Sequence, residues 1–355
     1  MTHAILRPPF DSELAPFLDA MHARGTFVLR SEMLPRMREL EISEEELDAG
    51  LLTRGLERRT YTIPGYRGDP IQLAVIQRRG RTGTAPAVYT MHGGGMMFGH
   101  YLGNLDSYDS WLLAHDVVLV SVDYRLAPEF PDPYPVEDSY AGLLWIAAHA
   151  TTLGIDPERI VIAGQSAGGG LAAGTALLAR DRSGPRLLAQ ILISPMLDDT
   201  DSTTSTKQID GVGVADRAMT RFGWNAYLAG REGSEDVSIY AAPARATDLQ
   251  GLPETYIDCA SAEVFRDETV AYASALWRCG VQAELHVWPG AFHGFTSMVP
   301  DATISRTATS ALADWTDRLL GKQVRLDHLT EVPVAETRAR AGTGAIRKGS
   351  SGGRQ

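Results

Sequence analysis

Residues 164–168 read Gly-Gln-Ser-Ala-Gly, and they fall where a β-rich run, RIVIAG (159–164), gives way to the helical pattern AGGGLAAGTALLARD (167–181). A strand-to-helix turn this tight strains the backbone of its central residue, so the positions two away on either side must be small. The hydroxyl of Ser166 then stands clear at a helix N-terminus, whose amides favour a developing oxyanion. That is the chemistry of a nucleophilic serine. Two other readings compete. The glycines at 168–174 have a loose likeness to a dinucleotide-binding turn, but their spacing is GxGxxxG and no acidic residue lies about 20 positions on in a following strand. They also permit close helix–sheet packing with no chemistry at all.

A second glycine motif lies upstream in YTMHGGGMMFGH (89–100). Glycines at 93–95 let the backbone fold under a ligand and aim amides outward, so the amides of Gly94, Gly95 and Ala167 can surround the oxygen of a tetrahedral intermediate. His92 is expected to brace this loop by hydrogen bonding. A phosphate-binding turn is the alternative, yet no Lys-Ser/Thr pair follows it. A base is then needed. Nine histidines make any choice arbitrary without a positional reason. The reason favouring His293, in LHVWPGAFHGF (285–295), is chain order: serine after strand five, acid after strand seven, histidine after strand eight.

The elements that must position these residues are legible as β-rich runs at 58–63, 71–79, 87–91, 117–124, 159–164, 190–195, 254–260 and 282–288, with helical patterns between the later ones. Several runs are nearly continuous in Val, Ile, Leu and Ala, as strands buried on both faces of a parallel sheet are. The alternation predicts a doubly wound α/β fold with one main sheet. Both glycine motifs sit at C-terminal strand ends, where open α/β sheets bind ligands. Residues 1–56 and 198–243 stand outside the alternation and can pack together as a lid or merely decorate the core. Residues 322–355 carry seven Lys or Arg against three Asp or Glu, are poor in large apolar residues and are expected to be a disordered tail.

Bulk properties narrow the partners. A chain of 355 residues, 44% hydrophobic and 22% charged, is ordinary for a globular protein. A net charge of −11 argues against nucleic acid or an anionic membrane surface as a partner. No secretory pattern and no apolar run near the roughly 20 residues of a membrane span are present. A cytoplasmic location is therefore expected, with Cys259 and Cys279 as free thiols. No metal-ligand spacing occurs, and no metal or cofactor is expected. A homo-oligomer is left open.

HGGG (92–95), DYRLAPEFPDPYPVED (123–138), DPERIVIAGQSAGGGLAA (156–173) and WPGAFHGF (288–295) together resemble the hormone-sensitive-lipase-like branch of the α/β-hydrolase esterases. The resemblance spans roughly 58–320. It implies an α/β-hydrolase fold: a mostly parallel eight-stranded sheet flanked by helices, over 57–321, with a helical cap built from 1–56 and an insertion at about 198–243. It also implies that the HGGG loop and the residue after the serine form the oxyanion hole, and that Tyr124, Arg125, Glu137 and Asp138 support the fold.

Two positions depart from that family. Gln165 stands where Asp is usual, and the acid motif, usually DPLRDE, reads EVFRDE, which puts Glu263 at the acid position. Of the carboxylates in YIDCASAEVFRDE (256–268), Asp258 lies inside the strand, while Asp267 and Glu268 open a helix whose dipole they stabilise. Glu263 alone falls in the turn, with Asp267 as the second candidate. Met96, Met97 and Phe98 are expected to line the acyl pocket or to pack in the core, with Phe222, Trp224 and Tyr227 of the insertion completing it. The expected function is serine carboxylesterase action on a small-molecule ester with a short-to-medium acyl chain. A dedicated acyl-transfer or lactone-processing enzyme using the same triad is the alternative, and a non-catalytic small-molecule receptor a third reading.

Overall fold

The computed structural model describes residues 6–23, 25, 29–39 and 43–321, so the expected tail at 322–355 lies outside the described residues. Eight strands form one sheet in the order β1-β2-β4-β3-β5-β6-β7-β8. They are β1 (Leu56–Pro64), β2 (Pro70–Arg78), β3 (Ala85–Met91), β4 (Val118–Asp123), β5 (Ile155–Gln165), β6 (Ala189–Ile193), β7 (Glu254–Ala260) and β8 (Ala283–Trp288). The β1–β2 and β2–β4 pairs are antiparallel and all others parallel. The one main sheet expected from the strand–helix alternation is therefore present, and it is the mostly parallel eight-stranded sheet that the resemblance implies.

Alternate residues of one strand enter opposite cores, because side chains alternate across a pleated sheet. Val118, Val120 and Val122 enter one cluster and Leu119 the other; Ile160 and Ile162 divide from Val161 and Ala163 in the same way. A strand that must satisfy both layers has no polar face, hence the continuous apolar runs. The first layer packs helices α4 (Tyr134–Ala148), α5 (Ala167–Asp181) and α7 (Arg266–Arg278). The second packs α8 (Thr303–Leu320) through Trp315 and Leu319, together with Leu51 of α3 (Glu44–Thr53).

Asp138 ties three segments together. Its fully buried carboxylate accepts from the Tyr66 amide at 2.8 Å, from the Arg125 amide at 3.2 Å, and from the Arg125 guanidinium twice at 2.8 Å. A buried charge is tolerable only when its lone pairs are filled in this way.

Three further helices are α1 (Ala15–His22), α2 (Leu34–Arg38) and α6 (Arg217–Leu228), the last belonging to the 198–243 insertion, and short helices also span Asp109–Ala114, Ala150–Leu153, Thr204–Gln208 and Phe295–Met298. α2 and the insertion meet in a small cluster around Leu29, Leu34 and Met97, with Met219 and Phe222 packed on it. Leu18 of α1 and Leu14 just before it instead pack with Phe292 and Phe295, beside the loop after β8. Among the described residues no helix is long and apolar enough to cross a membrane.

Candidate active site

The sheet order reverses between β3 and β5, since the chain passes from β3 to β4 on one side and returns to β5 on the other. Met91 pairs with Gly164 in parallel register, so the HGGG loop and the serine turn leave neighbouring strands at the same end. A crevice opens where successive loops diverge like this.

Ser166 occupies φ 58°, ψ −123°, a strained conformation for a residue with a Cβ. The turn is held by contacts that allow no substituent: a Cβ on Gly164 would lie 2.1 Å from the Gly168 carbonyl oxygen, and one on Gly168 2.1 Å from that of Met91. The Ser166 amide donates to the Ile193 carbonyl at 2.9 Å, which anchors the turn to β6.

His293 Nε2 lies 3.0 Å from Ser166 Oγ, and His293 Nδ1 lies 3.2 Å from Glu263 Oε2. The turn after β7 that carries Glu263 is stitched to the loop after β8 that carries His293: the Ser261 amide donates to the Trp288 carbonyl at 2.8 Å and that of Ala262 to Ala291 at 3.1 Å. Phe265 sets its ring edge-on to the imidazole at 5.2 Å, while Phe17 of α1 stacks on Phe292 at 5.7 Å. Glu263 is 1% exposed, and its Oε1 has no hydrogen-bond partner among the described residues. One carboxylate oxygen is thus committed wholly to the histidine.

The other carboxylates of 256–268 are engaged elsewhere. Asp267 pairs with Arg266 and accepts from the Ser205 amide at 2.8 Å, contacts that together hold its carboxyl below the usual range. Glu268 accepts from the amides of Leu197 and Asp198, yet burial pushes its pKa well up. Asp258 accepts from Trp288 Nε1 at 3.0 Å, and burial raises its pKa to about 7. None of the three is bonded to His293 in the described residues.

Opposite the histidine, the HGGG loop makes a tight turn in which the Gly94 carbonyl accepts from the amides of Met97 and Phe98 at 3.0 and 3.1 Å. Gly94 has φ 116°, and a Cβ there would lie 2.0 Å from the Phe98 carbonyl oxygen. Among the described residues the amides of Gly94, Gly95 and Ala167 donate no hydrogen bond, which leaves them free for a ligand. His92 stacks on Tyr124 at 4.3 Å, and its Nδ1 lies 2.8 Å from the Gly93 carbonyl, to which it donates. Burial pushes its pKa down to about 4, so the ring is a neutral brace and no general base at physiological pH.

Sequence reasoning passed over Arg38. From the end of α2 its Nε donates to the Met97 carbonyl at 2.7 Å and one Nη to the Ala127 carbonyl at 2.6 Å, while Glu129 holds the guanidinium through two 2.9 Å bonds. The turn bearing the free amides is thereby pinned from behind. Arg38→Ala is expected to lower kcat on p-nitrophenyl acetate about tenfold, with KM changed less than about threefold, because a displaced oxyanion donor weakens the transition state more than the ground state. Steady-state kinetics decide it: an equal fall in stability with unchanged kcat would make Arg38 a packing residue only.

The crevice has a volume of about 760 Å³, and Ser166, His293, Phe98 and Met219 are among its walls. Of the six apolar residues expected to line the acyl pocket or to pack in the core, only Phe98 lines the crevice. Met96 is fully buried in the main core and Met97 under α2, because the Gly94 turn directs both inward. Phe222 packs on the Met97 cluster, and Met219, one turn earlier on α6, reaches the crevice instead. Trp224 and Tyr227 are core residues. Val214, Met298 and Tyr108 also line the crevice, and no local pattern in the sequence marks them.

Comparison with known proteins agrees with this architecture. The family described as alpha/beta hydrolase fold matches residues 88–297. Carboxylesterase NlhH of Mycobacterium tuberculosis is 35% identical over 312 residues, covering 82% of this chain and 91% of that protein. Among solved structures, a bacterial heroin esterase superposes with TM-score 0.78 at 36% identity, covering 88% of this chain and 98% of the other. A hyperthermophilic esterase of the archaeon Pyrobaculum calidifontis gives TM-score 0.75 at 32% identity, covering 88% and 99%.

Proposed function

The chain belongs to the alpha/beta hydrolase fold family, and from that premise we propose that it is a serine carboxylesterase acting on small-molecule esters with short-to-medium acyl chains. The observation that carries the reading is the unbroken line of contacts from Ser166 Oγ through His293 to Glu263, beside loops in which the amides of Gly94, Gly95 and Ala167 donate no hydrogen bond among the described residues.

Ser166 attacks the ester carbonyl while His293 Nε2 takes its proton. Glu263 holds Nδ1–H, fixing the tautomer, and stabilises the imidazolium as it forms. Negative charge growing on the carbonyl oxygen is met by the amides of Gly94, Gly95 and Ala167, which are fixed beforehand and need no reorganisation. His293 then protonates the leaving alcohol. Water repeats the cycle on the acyl-enzyme, and the acid departs. In this reading α2 and the 198–243 insertion form the cap, with Met219 facing the bound ester. We also place the enzyme in the cytoplasm, where the free thiols of Cys259 and Cys279 stay reduced.

Hydrolysis of a p-nitrophenyl ester series tests the reading. Activity is expected to peak between acetate and octanoate and to fall at least about tenfold by palmitate, because the crevice of about 760 Å³ must also hold the alcohol. No turnover of any member by folded protein would overturn it.

A further inference from the structure

A second hollow, of about 400 Å³, opens beside the crevice on the α8 side of the sheet. The two share a wall made by Asn104, Ser107, Tyr108, Gln165 and Ser297. Gln165 immediately precedes the nucleophile, at the position where the resemblance leads one to expect Asp, and among the described residues its amide makes no hydrogen bond.

The hollow follows a row across three strands. Gln165 pairs with Ile193, and Ile193 with Asp258. Two inter-strand steps separate the ends, roughly 10 Å. The rest of the lining is mainly apolar, with Ile191, Ile193, Trp111 and Leu312 in it and the hydroxyls of Thr296 and Thr309 among them. At the far end stands the Asp258 carboxyl, 5% exposed, with Oδ2 bonded to Trp288 and Oδ1 accepting from no described residue. A free amide at the mouth, an apolar passage and an open acceptor at the end are the parts of a recognition pocket.

We propose that this side chamber binds one arm of the ester, an apolar chain ending in a hydroxyl, with Gln165 contacting it at the mouth and Asp258 accepting the hydroxyl's hydrogen bond. The proposal rests on the esterase reading and names its substrate class. Burial raises the pKa of Asp258 to about 7, and its carboxyl can accept a hydroxyl's hydrogen bond in either protonation state.

The test uses two matched pairs: ethyl 6-hydroxyhexanoate against ethyl hexanoate, and 6-hydroxyhexyl acetate against hexyl acetate. In the wild type one pair is expected to favour the hydroxyl ester at least about tenfold in kcat/KM, and which pair does so tells whether the acyl or the alcohol arm enters the chamber. In Gln165→Leu and in Asp258→Ala the preference should fall to within about twofold of unity. Because the readout is a ratio, a general loss of activity in either variant leaves it meaningful. Should Asp258→Ala not fold, Gln165→Leu and the wild-type ratios still decide. Equal rates within both pairs, in a wild type that hydrolyses p-nitrophenyl acetate, would overturn the chamber's role, as would a preference that survives substitution. Failure to hydrolyse p-nitrophenyl acetate at all would instead overturn the esterase reading.

Discussion

Ser166→Ala is expected to lower kcat/KM for p-nitrophenyl acetate by at least about 10⁴-fold while leaving the protein folded. No other hydroxyl stands at the free amides with a histidine nitrogen 3.0 Å away among the described residues. Alanine suits the turn as well as serine does, since both carry a Cβ at φ 58° and Ser166 makes no side-chain cap to the following helix. The melting temperature should therefore move by only a few degrees, on the order of what a change near 1 kcal/mol produces. His293→Ala should cost a comparable factor, and the double variant should be little worse than either single one. The three groups act as a unit, and once one is gone the others have nothing to transfer. Circular dichroism and initial rates on the same preparation give the answer. Activity within about tenfold of the wild type in Ser166→Ala would remove the serine from the mechanism.

Glu263→Gln should lower kcat by about 10²- to 10⁴-fold, whereas Asp267→Ala should change it less than about threefold. The amide can occupy the carboxylate's place but brings no charge for the imidazolium, and it can present an N–H where the histidine needs an acceptor. Asp267 is bonded to Arg266 and Ser205 and makes no contact with the ring, so its loss is felt at the start of α7. Stability sharpens the distinction. Glu263 is buried with one oxygen unpaired, and glutamine keeps its size and shape there, so the surrounding core needs no repacking. A variant that loses turnover while its melting temperature holds or rises has lost chemistry. Glu263→Asp adds a length test: a side chain shorter by about 1.5 Å stretches the 3.2 Å contact beyond hydrogen-bond range unless the backbone advances. Collapse of Asp267→Ala with Glu263→Gln intact would reverse the assignment.

The sequence by itself determined what depends on neighbours along the chain. The serine turn is legible because the backbone crosses itself within five residues, so Gly164 has no room for a side chain against Gly168, although Gly168 itself is confined by the Met91 carbonyl at the end of β3, a contact no local pattern announces. The HGGG loop is legible for the same reason, with Gly94 folded against Phe98. The strands are legible because facing two cores leaves them no polar face. The pairing of Glu263 with His293 was inferable from chain order and from the resemblance that puts Glu263 at the acid position, not from any local contact. Their contact arises because β7 and β8 are neighbours in register, Asp258 beside His286, so the two following loops are laced together.

Other features were decided by tertiary structure alone. Met96, Met97 and Phe98 are similar apolar residues in succession, and only the direction of the Gly94 turn sends two into cores and one to the crevice. Arg38 reaches Met97 across 59 positions of sequence, with no periodicity to announce it. Asp258 reads as an ordinary strand residue until β5, β6 and β7 align it with Gln165 across the floor of a hollow. Spacing in a sequence reports the conformations a short stretch can adopt. Which side chains meet, and which polar atoms are left open to a ligand, is fixed by the packing of segments far apart in the chain.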